Sequence, residues 1–171
     1  MTTEATSRGA RVCAVAAALA LVGFLLLGLV WYGFSADVRQ RVWRDIVDRP
    51  GGPMSFRFLL QPTMATIAAL HDGIRDAQLG RAPYFWTVLT DESQRRGRLR
   101  EGLVSTGRII LLGLGMDVLY QTRVLQTFYP GEAVLVALLL AVVPYVLLRG
   151  PFARAARWWR ARSGQHSTPG N

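Results

Sequence analysis

Lysine is absent from this 171-residue chain: all 20 basic residues are arginine, set against 11 acidic residues. Arginine offers planar, bidentate donors and is less strongly hydrated than an ammonium. GC-rich coding yields the same bias, so the absence alone assigns no role. Cysteine is nearly absent too. Cys13 stands alone inside an apolar run, which excludes an intrachain disulfide framework and a cysteine-based metal site. There are two histidines, His71 and His166. No P-loop, Rossmann glycine pattern, nucleophile elbow, HExxH or Cys/His metal spacing occurs. The sequence therefore calls for no cofactor or metal and names no catalytic residue.

What is present is unevenly placed. The chain is 51% hydrophobic yet carries a formal net charge of +9. Its apolar residues lie in blocks, with the charge between them. A pI near 11.1 raises nucleic acid as a partner. Basic loops between apolar blocks instead face anionic lipid headgroups. The expected partners are anionic membrane lipids and another membrane protein or a second copy, not nucleic acid.

The pattern predicts an all-α integral membrane protein with about three transmembrane helices, at 12–34, 103–125 and 132–148, plus amphipathic interfacial helices. The first block, Val12 to Phe34, has no charged residue. Its 23 residues rise about 34 Å, enough for a hydrocarbon core of about 30 Å. It is too long for a signal-peptide core and lacks a small-residue cleavage site. Trp31, Tyr32 and Phe34 suit an aromatic belt. The second block, Leu103 to Leu125, contains Arg108, Asp117 and Arg123, so a shallow interfacial helix stands as the alternative to a span. The third runs from Glu132 to Leu148 and includes Pro144, which a membrane helix tolerates and which can kink its axis. Tyr129-Pro130-Gly131 marks a tight turn between them. Eleven arginines between Ser35 and Gly102, and Arg149, Arg154, Arg157, Arg160 and Arg162 after the third block, put both regions inside by the positive-inside rule. Three crossings then place the N-terminus outside and the C-terminus inside. Arg8 and Arg11 oppose this.

Four regions follow: an anchor over 1–34, a cytoplasmic or interfacial helical region over 35–102, a transmembrane hairpin over 103–149, and a basic segment with a polar tail over 150–171. Within 35–102, Ser35 can cap a helix to about Val47, ended by Pro50-Gly51-Gly52-Pro53. A second helix is expected from Pro62 to about Gln78, with Met64, Ile67, Leu70 and Ile74 as its apolar stripe. Tyr84-Phe85-Trp86 suits an interfacial position, and Thr90 and Asp91 read as the cap of the helix entering the second block.

Asp117 is the sharpest candidate functional residue, because an intramembrane carboxylate costs about 2.5–3.5 kcal/mol on insertion scales. Arg108, on the same block, is near enough to its end to snorkel. The bland alternative for Asp117 is satisfaction by Tyr120, Gln121 or another helix. Arg95, Arg96, Arg98 and Arg100 before the second block, and Arg154, Arg157 and Arg160 after the third, are candidates for contact with anionic lipid or an acidic partner. Asp72, Arg75 and Asp76, at helical spacing, read as a solvated ion-pair network.

The stretches FRFLLQPTMATIAALHDGIRDAQLGRAPYFW, RIILLGLGMDVLYQ and TFYPGEAVLVALLLAVVPYVLLRGP resemble a family of small, uncharacterised bacterial inner-membrane proteins, over roughly Met54 to Pro151. The resemblance implies a bacterial inner membrane and transfers no catalytic residue. With few spans and no reactive constellation, the expected role is accessory or scaffolding, beside partner membrane proteins. An oligomeric transporter or channel using Asp117 is the rival. An enzyme acting on lipid would need His71 brought near Asp91 or Glu92.

Overall fold

A computed structural model describes residues 2–33, 40, 43–44, 51 and 55–165. The expected helix from Ser35 to Val47 and its Pro/Gly stop fall almost wholly outside these residues. Five α-helices are described: α1 (Thr2–Tyr32), α2 (Arg57–Gln78), α3 (Tyr84–Thr90), α4 (Glu92–Tyr120) and α5 (Pro130–Gln165). Three of them contain stretches long and apolar enough to cross a membrane: Arg8–Tyr32, Glu92–Leu125 and Pro130–Arg162. The fold is all-α with about three such spans, as the apolar blocks predict.

Local signals explain the element ends. Asp91 caps α4: its carboxylate accepts from the backbone N–H of Ser93 at 3.0 Å and of Gln94 at 3.2 Å, which satisfies donors that the first helical turn leaves open. At its other end α4 passes into a π-helical turn, Gln121–Leu125, and stops where Gln126 adopts a left-handed φ of 52°. Pro130 then opens α5, where its missing N–H costs nothing. Pro144 and Pro151 both lie inside α5, which stays helical through them.

The helices alternate in direction. Ala14 of α1 lies against Gly107 of α4, and Gly28 lies against Gly131 at the start of α5. At the end of α1, the Tyr32 hydroxyl donates to the Phe128 carbonyl at 2.9 Å. Thus α1 runs parallel to α4. Between them the chain must return along the length of the bundle, and α2 does this: Arg57 meets Asp117 of α4, and Asp76 meets Arg98 at the other end. Twenty-two residues rise about 33 Å. Four long helices therefore run along the bundle, of which three contain stretches long and apolar enough to cross a membrane. Both ends of the described chain lie at one end of it, because four helices rather than three traverse its depth.

α2 begins five residues earlier than the expected start at Pro62, lies against the apolar helices, and turns its apolar stripe away from them. Its apolar stripe, including Ile67, Leu70 and Ile74, faces outward, while Arg57, Gln61, Asp72 and Asp76 face inward. A spacing of four explains the contact. Ala65, Ala69, Gly73 and Ala77 continue the row begun by Arg57 and Gln61, and they are buried. Ala133, Ala137, Ala141, Tyr145 and Ala153 form the matching buried row on α5. Small residues at every fourth position let two helices approach closely. Gly73 shows how closely: a β-carbon there would collide with the Arg149 carbonyl and Phe152.

Candidate functional site

Charged side chains gather inside the bundle in two places. At the end where α1 finishes, Arg57 Nη1 lies 2.6 Å from Asp117 Oδ1, and both residues are essentially fully buried, at 1% and 0% exposure. The Arg57 guanidinium sits between the rings of Phe58 and Tyr120, 5.2 and 5.0 Å from their centroids. Gln121 donates to the second oxygen of Asp117. The same Gln121 donates to the Tyr129 carbonyl at 3.2 Å and accepts from the Tyr129 N–H, so the π-helical turn ties the carboxylate to the hairpin connection. Asp117 thus lies towards one end of the bundle rather than at its middle, and a cation opposes it.

The second cluster lies at the opposite end and joins α2, α3, α4 and α5. Asp76 receives Arg149 in a two-pronged pair, Nε to Oδ2 at 2.8 Å and Nη2 to Oδ1 at 3.1 Å. Arg98 approaches the same carboxylate at 2.8 Å and donates to the Ala82 carbonyl at 3.0 Å. Glu101 closes the ring, 3.1 Å from Arg98 and 3.2 Å from Arg149. Tyr145 donates to Asp72 at 2.7 Å, Ser105 donates to the same oxygen, and Arg149 donates to the Tyr145 hydroxyl. Tyr84 lies under Arg149, 4.3 Å from ring centroid to guanidinium, and donates to the Arg98 carbonyl. Burial raises the Tyr84 pKa above its ordinary value, which keeps the phenol a donor. Two-pronged arginine–carboxylate pairs are geometrically demanding, and this network fixes the register of three long helices at once.

The sequence-predicted residues are divided by this arrangement. Asp117 is inside and paired. Arg108 is exposed, and its guanidinium lies against Gly9 of α1, so it and Asp117 are not brought together. Arg98 is turned inward and spent on Asp76, which removes it from the lipid-facing set. Arg95 holds the end of α3 through the Val88 and Leu89 carbonyls. Arg96, Arg100, Arg154 and Arg160 are exposed, and Arg157 donates to the Arg81 carbonyl. The solvated network expected of Asp72, Arg75 and Asp76 is corrected. Both carboxylates are buried and taken by other helices, while Arg75 points outward. His71 contacts Asp72 at 3.6 Å, and Asp91 is engaged as the α4 cap. The Ser93 hydroxyl, followed by the Gln94 N–H, holds the Asp91 carboxyl below its ordinary pKa. Arg57, Gln61, Arg149 and Tyr145 were missed as site residues. The four-residue spacing of small side chains in α2 is the signal that could have found the face they share.

Three apolar helices, a fourth packed along them and polar groups turned inward define a multi-pass helical membrane protein. No family model, curated protein or solved structure matches the chain.

Proposed function

We propose that this chain is a non-catalytic scaffolding or accessory protein of the bacterial inner membrane, with both termini in the cytoplasm. The observation that supports the role is the use made of the buried charges. Asp117 is held by Arg57, and Asp76 by Arg98 and Arg149. These groups fasten helices together, and what the bundle presents outward at membrane depth is apolar side chains from α1, α2, α4 and α5.

Orientation rests on the arginines. Arg8, Arg11, Arg75, Arg81, Arg95, Arg96, Arg100, Arg154, Arg157, Arg160 and Arg162 belong to the end that holds both termini. The positive-inside rule makes that end cytoplasmic. Arg8 and Arg11, which oppose an outside N-terminus, then agree with the other arginines of that end, while Arg39, Arg41, Arg44, Arg49 and Arg123 in the connections at the opposite end count against it.

Purification in mild detergent is expected to yield the chain with a stoichiometric membrane-protein partner. A lone monomer across several detergents would overturn the scaffolding role. The rival reading, an oligomeric transporter using Asp117, draws on the intramembrane carboxylate and the adjoining π-helical turn, a feature frequent at functional sites. The close Arg57 guanidinium weighs against it. A flux in reconstituted vesicles that Asp117→Asn abolishes would favour the rival.

A further inference from the structure

The outer face of α2 changes character along its length. Leu59, Leu60, Ile67 and Leu70 are exposed and apolar, with Leu59 at 75% and Ile67 at 61%. One turn further on, His71, Arg75 and Gln78 occupy the same side, next to exposed Ile74. A shallow, open depression of about 380 Å³ lies there, lined among the described residues by His71, Ile74, Arg75 and Gln78.

Arg75 is the informative member. It stands within one helical turn of two carboxylates, yet forms an ion pair with neither. Asp72 accepts from Tyr145 and Ser105, and Asp76 is filled by Arg149 and Arg98. A guanidinium on the bundle exterior, with its local counter-charges spent inside, is suited to a phosphate in two-pronged geometry. The depth fits as well. On α1 the apolar run from Val12 to Trp31 rises about 28 Å, on α5 that from Pro130 to Leu147 about 26 Å, and on the outer side of α2 that from Phe56 to Ile74 about 27 Å. Arg75 and Gln78 therefore fall at the edge of a hydrocarbon layer of about 30 Å, where headgroup phosphates lie.

We infer that α2 carries a phospholipid site on the cytoplasmic side. Arg75 and Gln78, with His71, hold an anionic headgroup phosphate, and an acyl chain follows Leu70, Ile67 and Leu60 down the same helix. The site rests on the reading that α2 crosses the membrane, and the two are tested separately. In a Cys13→Ser background, Ser55→Cys and Gln78→Cys labelled from opposite sides report the crossing.

For the site, the chain is placed in nanodiscs of phosphatidylcholine with a minor fraction of phosphatidylglycerol, and the retained lipid is read by native mass spectrometry after extraction. Wild type is expected to retain phosphatidylglycerol over phosphatidylcholine. Arg75→Gln is expected to weaken this preference about fivefold, the effect of one basic charge at an anionic surface, and Arg75→Gln with His71→Ala to remove it. Arg123→Gln, at an exposed position at the opposite end of the bundle, is expected to leave it intact. All variants should unfold at the wild-type temperature in phosphatidylcholine alone, since the altered side chains are exposed. Equal retention of the two lipids by wild type, or unchanged retention in the Arg75 variants, would overturn the site. So would inorganic phosphate in detergent stabilising the chain as well as phosphatidylglycerol does, which would make the ligand a free anion.

Discussion

Arg57 beside Asp117, with Gln121 on its second oxygen, makes the buried carboxylate tolerable. Taking two charges out of water costs several kcal/mol each, and close pairing offsets most of that cost. Asp117→Asn should leave Arg57 buried and uncompensated, lowering stability by about 3–5 kcal/mol. Arg57→Met with Asp117→Leu should restore most of the loss, because neither charge then remains. Reversible unfolding in mixed micelles measures both, and an Asp117→Asn variant as stable as wild type would show the pair to be idle. At this scale the sequence was half legible. An isolated carboxylate in an apolar block announces itself by its cost. Its partner does not, since Arg57 lies on another helix, before the residue at which that helix was expected to begin. Asp72 and Asp76 misled for a similar reason: Arg75 at helical spacing offered a local explanation, while Tyr145 and Arg149, far along the chain, supplied the actual one.

Among the elements, α1 and α5 could be read directly from unbroken apolar length, and α4 less directly, because Arg108, Asp117 and Arg123 interrupt its apolar block. The Asp91 cap was legible for an equally local reason. α2 was not, since averaging along it mixes an apolar outer face with a polar inner one. Its stripe was recognised, but a stripe alone does not say whether it faces lipid or protein. The contact between α1 and α4 makes a sharper prediction. Gly107 lies so near the backbone at Cys13 and Ala14 that a β-carbon there would stand 3.0 Å from the Ala14 α-carbon. Gly107→Leu should force the two helices apart and cost about 1–3 kcal/mol. Disulfide cross-linking between α1 and α4 should fall in parallel. Undiminished cross-linking would mean that the helices do not meet at this point.

For the whole molecule, the number of crossings decides everything that can be said about sides. Three would put the termini on opposite sides, and four put them together. Impermeant thiol labelling of single cysteines at Thr3 and Ser163, in a Cys13→Ser background, is expected to place both in the cytoplasm, with Ser55→Cys on the other side. Opposite labelling at the two termini would remove α2 from the membrane. The parity could not be read from composition, because it turns on whether α2 crosses, and the polar residues of that helix are matched by partners on other helices rather than by water.

That matching has a consequence for how the chain is made. α2 is made before the residues that pair with its inner face: Arg98 reaches Asp76 across 22 residues, Asp117 pairs with Arg57, and the last partner, Arg149, pairs with Asp76 across 73 residues. At about 5–20 residues per second, that wait lasts roughly 4–15 s. If α2 crosses the membrane, it is expected to stay at the bilayer surface or inside the insertion machinery during that wait, entering for good only once α5 has been translated. Insertion is then a late, concerted event rather than a helix-by-helix one, and a ribosome stalled before Arg149 should leave α2 open to protease.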